Sequence, residues 1–379
     1  MLPALDGTRR LPAEVDNTLL WSSLILLLLG MVMVYSASIA IAEAGRHTGN
    51  HPAYFLIRHL MFLVIGTAMM WFAMVIDYRD LQKYAKYILL AALVMLVLVL
   101  VPHIGKVSSG ARRWFSMGPI NFQPSEYAKI AMIVYLADFF TRKRPLIRSF
   151  WRGFMPVAFV MGAMCLLIIK QPDLGNTVLV TVITMSMYFV AGGRKSLFAA
   201  IAMMAVPVLT FLILTAPYRM RRMVSFINPW NDAQGAGFQL SQSQIALASG
   251  GFWGVGLGKS QQKLFYLPAA HTDFIFSIIG EELGFLGALA VVTLFGVFIW
   301  QGTRIIRHVT DSFGYLLAVG IMVMLSIQVV VNIGVSIGAL PTKGLPLPFI
   351  SYGGSALIFN MIAVGLMLNV SRTQDIGGS

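Results

Sequence analysis

The sequence has a single cysteine and very little charge. Cys165 stands alone in an apolar run, which excludes an intrachain disulfide and a thiolate metal cluster. It reads as a small hydrophobe. Charged residues make up 11% of the chain, against about 25% in a soluble globular domain. With 58% hydrophobic residues, the chain carries more apolar surface than it can bury within itself, so lipid must cover much of it. These shortages exclude a soluble enzyme and predict an all-α, polytopic integral membrane protein with no sizeable soluble domain. Acidic residues are also few: 15 Asp and Glu stand against 28 Lys and Arg, for a net charge of +13. The excess lies in loops, where it suits anionic headgroups or an anionic lipid-linked substrate. No basic segment is long enough to form a nucleic-acid-binding domain.

What the chain does have is a series of long apolar runs. A span needs about 20 apolar residues. The sequence predicts ten, near 18–42, 54–76, 85–103, 124–140, 153–170, 175–191, 197–216, 274–301, 313–338 and 347–370. They form one transmembrane domain, 18–370, between an N-terminal tail, 1–17, and a C-terminal tail, 371–379. The fourth and sixth spans are short and carry polar residues, which points to tilt or to burial among other helices. Ala40-Ile41-Ala42 mimics a signal-peptidase site, but the apolar region is too long for a signal peptide, and the first span reads as an uncleaved anchor. Lys and Arg set the orientation. With both ends inside, the inner loops hold fifteen of them, and the outer loops hold six besides those in the long 217–273 loop. Arg112, Arg113, Lys170 and Lys343 run against that rule. Either they snorkel to headgroups, or the outer face needs positive charge.

The polar, Gly- and Pro-rich segments fall mostly outside: 108–125, Gln171-Pro172-Asp173-Leu174-Gly175, 217–273 and 341–355. That asymmetry puts the working face on the outer side. The 217–273 loop is too long for a plain connector. It opens on Pro217-Tyr218-Arg219-Met220-Arg221-Arg222, a cluster fit for phosphate. Residues 237–249 predict a short, weakly amphipathic helix at the outer interface. The Gly-rich stretch 250–260 ends like a P-loop, but Trp253 stands where its first glycine is required and no strand precedes it, which rejects nucleotide binding. His271-Thr272-Asp273 then runs into the eighth span. Asp273 reads either as part of an N-cap with Thr272 or, partly desolvated, as a general base of raised pKa. His271 and Asp273 form a weak two-ligand metal signal.

Charges inside spans are expensive and should pair in the protein interior. Glu126 and Lys129 share one face of the fourth span, and Glu281 and Glu282 lie two turns into the eighth. Lys129 is expected to pair with Glu126 or Glu281, either as a structural pair or to position Asp273. Asp138, near the inner end of the fourth span, is expected to be solvated. The segment 341–355 is rich in turn formers yet opens the last span. Irregular backbone at membrane depth is tolerated only where it is buried or lines a cavity. Its free amides, the hydroxyls of Ser351 and Ser355, and Lys343 suit a headgroup or a sugar diphosphate.

At these residues the chain resembles the SEDS family (shape, elongation, division and sporulation proteins). The matching stretches are Arg112-Arg113-Trp114 with Gln123-Pro124-Ser125-Glu126-Tyr127-Ala128-Lys129, and the segments 171–175, 237–239, 270–284 and 341–355. The resemblance runs from about 18 to 370. Thr342-Lys343-Gly344 is similar to the division branch rather than the elongation branch, and Ala356 departs from it where a second serine is usual. The resemblance implies an SEDS-type fold and an inverting peptidoglycan glycosyltransferase. Its substrate would be lipid II, a disaccharide-pentapeptide on undecaprenyl diphosphate, used at the outer face of the bacterial inner membrane for septal wall synthesis. The implied partners are a class B penicillin-binding protein, which supplies the transpeptidase, and other division-complex membrane proteins. The family's essential aspartate falls on Asp273, and its important charges fall on Glu126, Lys129 and Glu281, then on Arg112, Asp173 and Lys343. No covalently bound cofactor is expected. Charge developing on a lipid diphosphate needs Arg or Lys or a divalent cation such as Mg or Mn. The rival readings are a lipid II flippase, which a bundle with buried charges and a broken helix also suits, the elongation-type paralogue of the same family, and a non-catalytic division scaffold.

Overall fold

The computed structural model describes residues 15–372, apart from 46, 47, 109, 119, 233, 234, 236 and 265. Most of both expected tails therefore lies outside the described residues. Among these residues the chain forms twelve α-helices: α1 (Asn17–Ala44), α2 (Tyr54–Val75), α3 (Tyr78–Leu98), α4 (Pro124–Arg142), α5 (Met155–Lys170), α6 (Leu174–Val190), α7 (Lys195–Leu214), α8 (Pro217–Ile227), α9 (Phe238–Gly250), α10 (Ile275–His308), α11 (Ser312–Ser336) and α12 (Gly354–Arg372). Seven are long and apolar enough to cross a membrane: α1, α2, α3, α5 with the π turn Phe150–Phe154 ahead of it, α10, α11 and α12. The other three predicted spans coincide with α4, α6 and α7. Scarce carboxylates are spent on helix starts. Asp16, Asp77, Asp173 and Asp311 each accept from a backbone N–H in the first turn of α1, α3, α6 and α11, at 2.8–3.1 Å. The Asp77 cap explains why α3 begins seven residues before the apolar run predicted at 85: its first turn is polar but well terminated.

The polar fourth span lies at the centre. α4 is buried along almost its whole length, against α3, α6, α11 and α12, so its polar groups meet protein rather than lipid. Lys129 Nζ lies 2.8 Å from Glu126 Oε2, with both side chains 2% exposed. Asp138 corrects an expectation. It is buried, ion-paired with Arg142, and accepts from Gln82 at 3.4 Å. The reason is that α3 packs across it where an open inner loop was expected. By contrast, no described residue of α7 is buried. α2 and α12 approach closely through small residues, with Gly365 set against the Met70 backbone and the Ala73 methyl.

Two features depart from a plain bundle. Residues 106–122 form a small antiparallel sheet of β1 (Lys106–Ser108), β2 (Ala111–Met117) and β3 (Ile120–Phe122), in the order β1-β2-β3, where only a loop was expected. α10 is broken at Gly284, whose φ of 68° and ψ of −167° lie outside the helical region. Glu281 and Glu282 therefore sit on a short half-helix before the break. The predicted last span also shortens. Residues 341–353 are irregular, and Leu345 and 347–351 are buried, before α12 begins at Gly354.

Candidate active site

Asp273 closes a tight turn. Its N–H and that of Thr272 donate to the Ala269 carbonyl at 3.1 Å, and Ala269 takes a φ of 57°. α10 starts only after Phe274, which makes no side-chain cap. The expected N-cap is therefore not what Thr272 and Asp273 provide. Thr272 Oγ1 turns back to the Ala269 carbonyl, and the Asp273 carboxylate takes no hydrogen bond from the described residues. Burial pushes its pKa up from 3.8 to about 6; Arg222 and Arg113 pull it down and Asp173 pushes it up. These three groups come from α8, β2 and the cap of α6, so three distant segments place charge around one carboxyl.

The irregular 341–353 segment forms the opposite wall. Gly344 lies so close to Asp273 that a Cβ there would come within 3.1 Å of Oδ2. Lys343, the preceding residue, has its pKa lowered by burial. The Tyr352 N–H donates to the His271 carbonyl at 2.9 Å, and Asn332 Nδ2 of α11 donates to the carbonyls of Asp273 at 2.9 Å and Leu345 at 2.8 Å. Sequence reading missed Asn332. The signal it carried was an amide four residues from Gln328 in a mostly apolar span. Ser351 and Ser355 accept backbone N–H groups from Leu347 at 2.9 Å and Gln123 at 3.2 Å. Those bonds shape the wall and tie it to the start of α4. His271 packs on Phe55 and Tyr352. Burial lowers its pKa to about 4, so it is neutral at physiological pH.

Of the two adjacent arginines, the structure brings Arg113 to this region. Its Nε and Nη2 donate to the carbonyls of Gln171 and Pro172 at 2.8 and 2.6 Å. Alternation along β2 sends Arg112 to the other face, where it makes no hydrogen bond or ion pair with the described residues. Asp173, capping α6, also accepts from Gln123 at 3.3 Å and Asn176 at 2.9 Å. Among the described residues no three His, Cys, Asp or Glu converge as metal ligands. With Asp173 committed to its cap, Asp273 is the one free carboxylate of this group, so the donor set does not fit a protein-held divalent cation.

Glu281 belongs to a different cluster from Lys129. It accepts from the backbone of Gln261 at 2.9 Å and from the Ser260 hydroxyl. Next to it Glu282 takes Lys263 Nζ at 2.8 Å and Ser36 Oγ of α1 at 2.7 Å, and Lys263 also donates to Ser36 at 3.0 Å. Ser36, Ser260, Lys263, Glu281 and Glu282 are each at most 8% exposed. Lys263 and Ser36 were not singled out from sequence; two adjacent glutamates in an apolar helix did imply a nearby cation. The Gly-rich stretch once compared with a P-loop has a structural duty here. Val255 and Gly256 donate to the Glu281 and Glu282 carbonyls at 3.0 Å, and the Gly251 carbonyl accepts from Phe285 at 2.9 Å. The break at Gly284 frees backbone groups, and this loop satisfies them. α9, as expected a helix, packs on α10 and α11.

The chain has relatives among known proteins. A family model described as "Cell cycle protein", FtsW/RodA/SpoVE, matches residues 17–376. A probable peptidoglycan glycosyltransferase FtsW of Aromatoleum aromaticum is 44% identical over 360 residues, covering 94% of this chain and 88% of the relative. Stage V sporulation protein E of Bacillus subtilis is 43% identical over 357 residues, 94% of this chain and 97% of that one. Among solved structures, a chain from a peptidoglycan synthase complex that coordinates polymerisation and crosslinking superposes with a TM-score of 0.78 at 28% identity, covering 95% of this chain and 98% of that one. The rod shape determining protein RodA of Thermus thermophilus superposes with a TM-score of 0.71 at 28% identity and the same coverage.

Proposed function

This chain belongs to the FtsW/RodA/SpoVE family of cell cycle proteins, and on that premise we propose that it is a peptidoglycan glycosyltransferase that polymerises lipid II at the outer face of the cytoplasmic membrane during septal wall synthesis. The observation that carries the reading is Asp273, a carboxylate without a hydrogen bond from the described residues, influenced by Arg222 and Arg113 and faced by the Lys343-Gly344 loop. Asp273 takes the proton of the acceptor sugar's 4-hydroxyl as that oxygen attacks the donor's anomeric carbon. The C1–O4 bond forms, the bond to the diphosphate breaks, and an α-linked donor becomes a β-linked product without a covalent enzyme intermediate. Arg113, Arg222 and Lys343 are the protein cations available to the departing lipid diphosphate. The proton on Asp273 passes to solvent.

Purified protein with its transpeptidase partner and labelled lipid II tests this directly. Polymer is the expected product. Movement of lipid II across vesicles without polymer would establish the flippase instead, and neither would leave a scaffold. The partner we propose is a class B penicillin-binding protein, held mainly through contacts between membrane helices. The support is that little of this chain lies outside the bundle, and that a neighbour of similar fold acts in a complex coupling polymerisation to crosslinking.

We further propose ten crossings, the seven long apolar helices with α4, α6 and α7, and both termini on the cytoplasmic side. The excess of inner Lys and Arg supports this orientation. In a Cys165→Ala background, Arg144→Cys is expected to react with an impermeant thiol reagent only from inside, and Lys259→Cys only from outside. The opposite sidedness would overturn the orientation.

A further inference from the structure

Three buried polar residues of α11 lie on one stripe. Gln328, Asn332 and Ser336 are four residues apart, and each is at most 1% exposed. Hydrogen-bonding side chains inside a membrane helix are retained where they have partners to meet; the Ser336 hydroxyl bonds back to the Asn332 carbonyl at 3.0 Å, and the two amides meet other elements. Gln328 Oε1 accepts from Asn360 of α12 at 3.5 Å. The Ser336 carbonyl accepts from Ser243 of α9 at 2.8 Å, and Ser243 Oγ lies 2.6 Å from Ser277 Oγ of α10. Asn332, between them, reaches the site itself.

We infer that Asn332 is a positioning residue for Asp273: its one amide group holds the loop carrying the carboxylate and the loop carrying Lys343 and Gly344 in a single register. Both Nδ2 protons are used, one on the Asp273 carbonyl and one on the Leu345 carbonyl. Its Oδ1 finds no partner among the described residues, so the donor side alone holds the amide in place. The two carbonyls belong to irregular segments, and neither is part of a helix that would fix it. The other tie between these segments, Tyr352 N–H to the His271 carbonyl, lies two residues upstream of Asp273. The Ala269 turn holds Asp273 within its own segment but does not tie it to the 341–353 segment. The close approach of Gly344 to Asp273 Oδ2 requires a register this tight. The inference rests on the reading of Asp273 as the base, and Asn332 touches no substrate in it.

The test uses the full chain with its partner. Asn332→Leu keeps the volume and removes both donors; Asn332→Ser keeps one donor and serves if the first variant does not fold. For Asn332→Leu, kcat with labelled lipid II is expected to fall by about tenfold to a hundredfold, with KM changed by less than about twofold. The acid limb of its pH–rate profile is expected to move down by about half a unit, because a released carboxylate regains water. The other charged and titratable groups around Asp273 are Arg222 of α8, Asp173 ahead of α6, Arg113 of β2, Lys343 and His271; none is altered. A lower rate with an unmoved acid limb would mean a merely structural residue and overturn the inference, as would a rate within about twofold of the parent. Hydrogen exchange over 267–274 and 341–352 reads the tether without catalysis. Both segments should exchange faster in the variant, and unchanged exchange would also overturn it. A parent protein that makes no polymer would end the glycosyltransferase reading, while the exchange result would still decide the tether.

Discussion

Asp273→Asn is expected to give a folded, membrane-inserted protein that polymerises lipid II at least about a hundredfold more slowly than its parent. The amide keeps the size and the polar character of the side chain but cannot accept the proton as a carboxylate does. Lost capping cannot account for such a loss, because α10 begins after Phe274 and Asp273 does not cap it. The same group sets the pH dependence. A general base works only when ionised, and burial has pushed this carboxyl from 3.8 to about 6. The parent's rate should therefore be full above about 6 and fall as the pH drops through it. The stability linkage has the opposite sense. A raised folded-state pKa means the fold favours the protonated form, so this contribution is full at low pH and is lost as the pH rises through about 6. At neutral pH the neutral amide should cost the fold nothing, and the melting temperature of Asp273→Asn should equal or exceed the parent's. Gel-resolved polymer and a melting curve in detergent check both halves. Near-normal polymerisation by the variant would remove Asp273 from the mechanism and make Glu281 or Glu126 the next candidate.

Lys263→Met is expected to cost about 3–5 kcal/mol of stability, seen as loss of folded protein from the membrane. Lys263 is the one cation in contact with Glu282 among the described residues, and it also holds Ser36. Its removal leaves two adjacent carboxylates, at most 2% exposed, without a compensating charge. Lys129→Met should behave similarly, since it strands Glu126 in the centre of the bundle. Lys83→Met is the contrasting case: its partner Asp80 is on the surface and Lys83 is 72% exposed, so the change should be silent. Adding Glu282→Gln to Lys263→Met should recover part of the loss, because the stranded charge goes with it. Wild-type abundance and melting for Lys263→Met alone would show that the buried network does not hold the loop to α1 and α10.

Much of this protein could be read from composition and spacing. Few charges, long apolar runs and biased loop cations specify a polytopic helical membrane protein, because transfer of apolar surface from water depends on residue type and local order alone. Adjacency did the same for Lys129 and Glu126. Three residues apart on one helix, they meet wherever that helix lies. The Pro- and Gly-rich 341–355 stretch announced an irregular wall, because those residues limit the backbone locally. What spacing could not supply was anything joined across the fold. Lys129 had two candidate partners in the sequence, and packing gave Glu281 instead to the Ser260 hydroxyl and the 261–262 backbone. Arg112 and Arg113 read alike until β2 sent them to opposite faces. Asp138 read as solvated until α3 covered it. Asn332, Ser36 and Lys263 lie far in sequence from the groups they bind, and each is an ordinary polar residue until packing brings a partner within hydrogen-bond reach. The sequence by itself determined the class, the apolar helices and the Glu126–Lys129 pair, since these depend on interactions within a few residues. The tertiary structure alone decided that Asp273 stands uncapped among Arg113, Arg222 and the Gly344 loop, because burial and the field of distant charges exist only once the helices have packed.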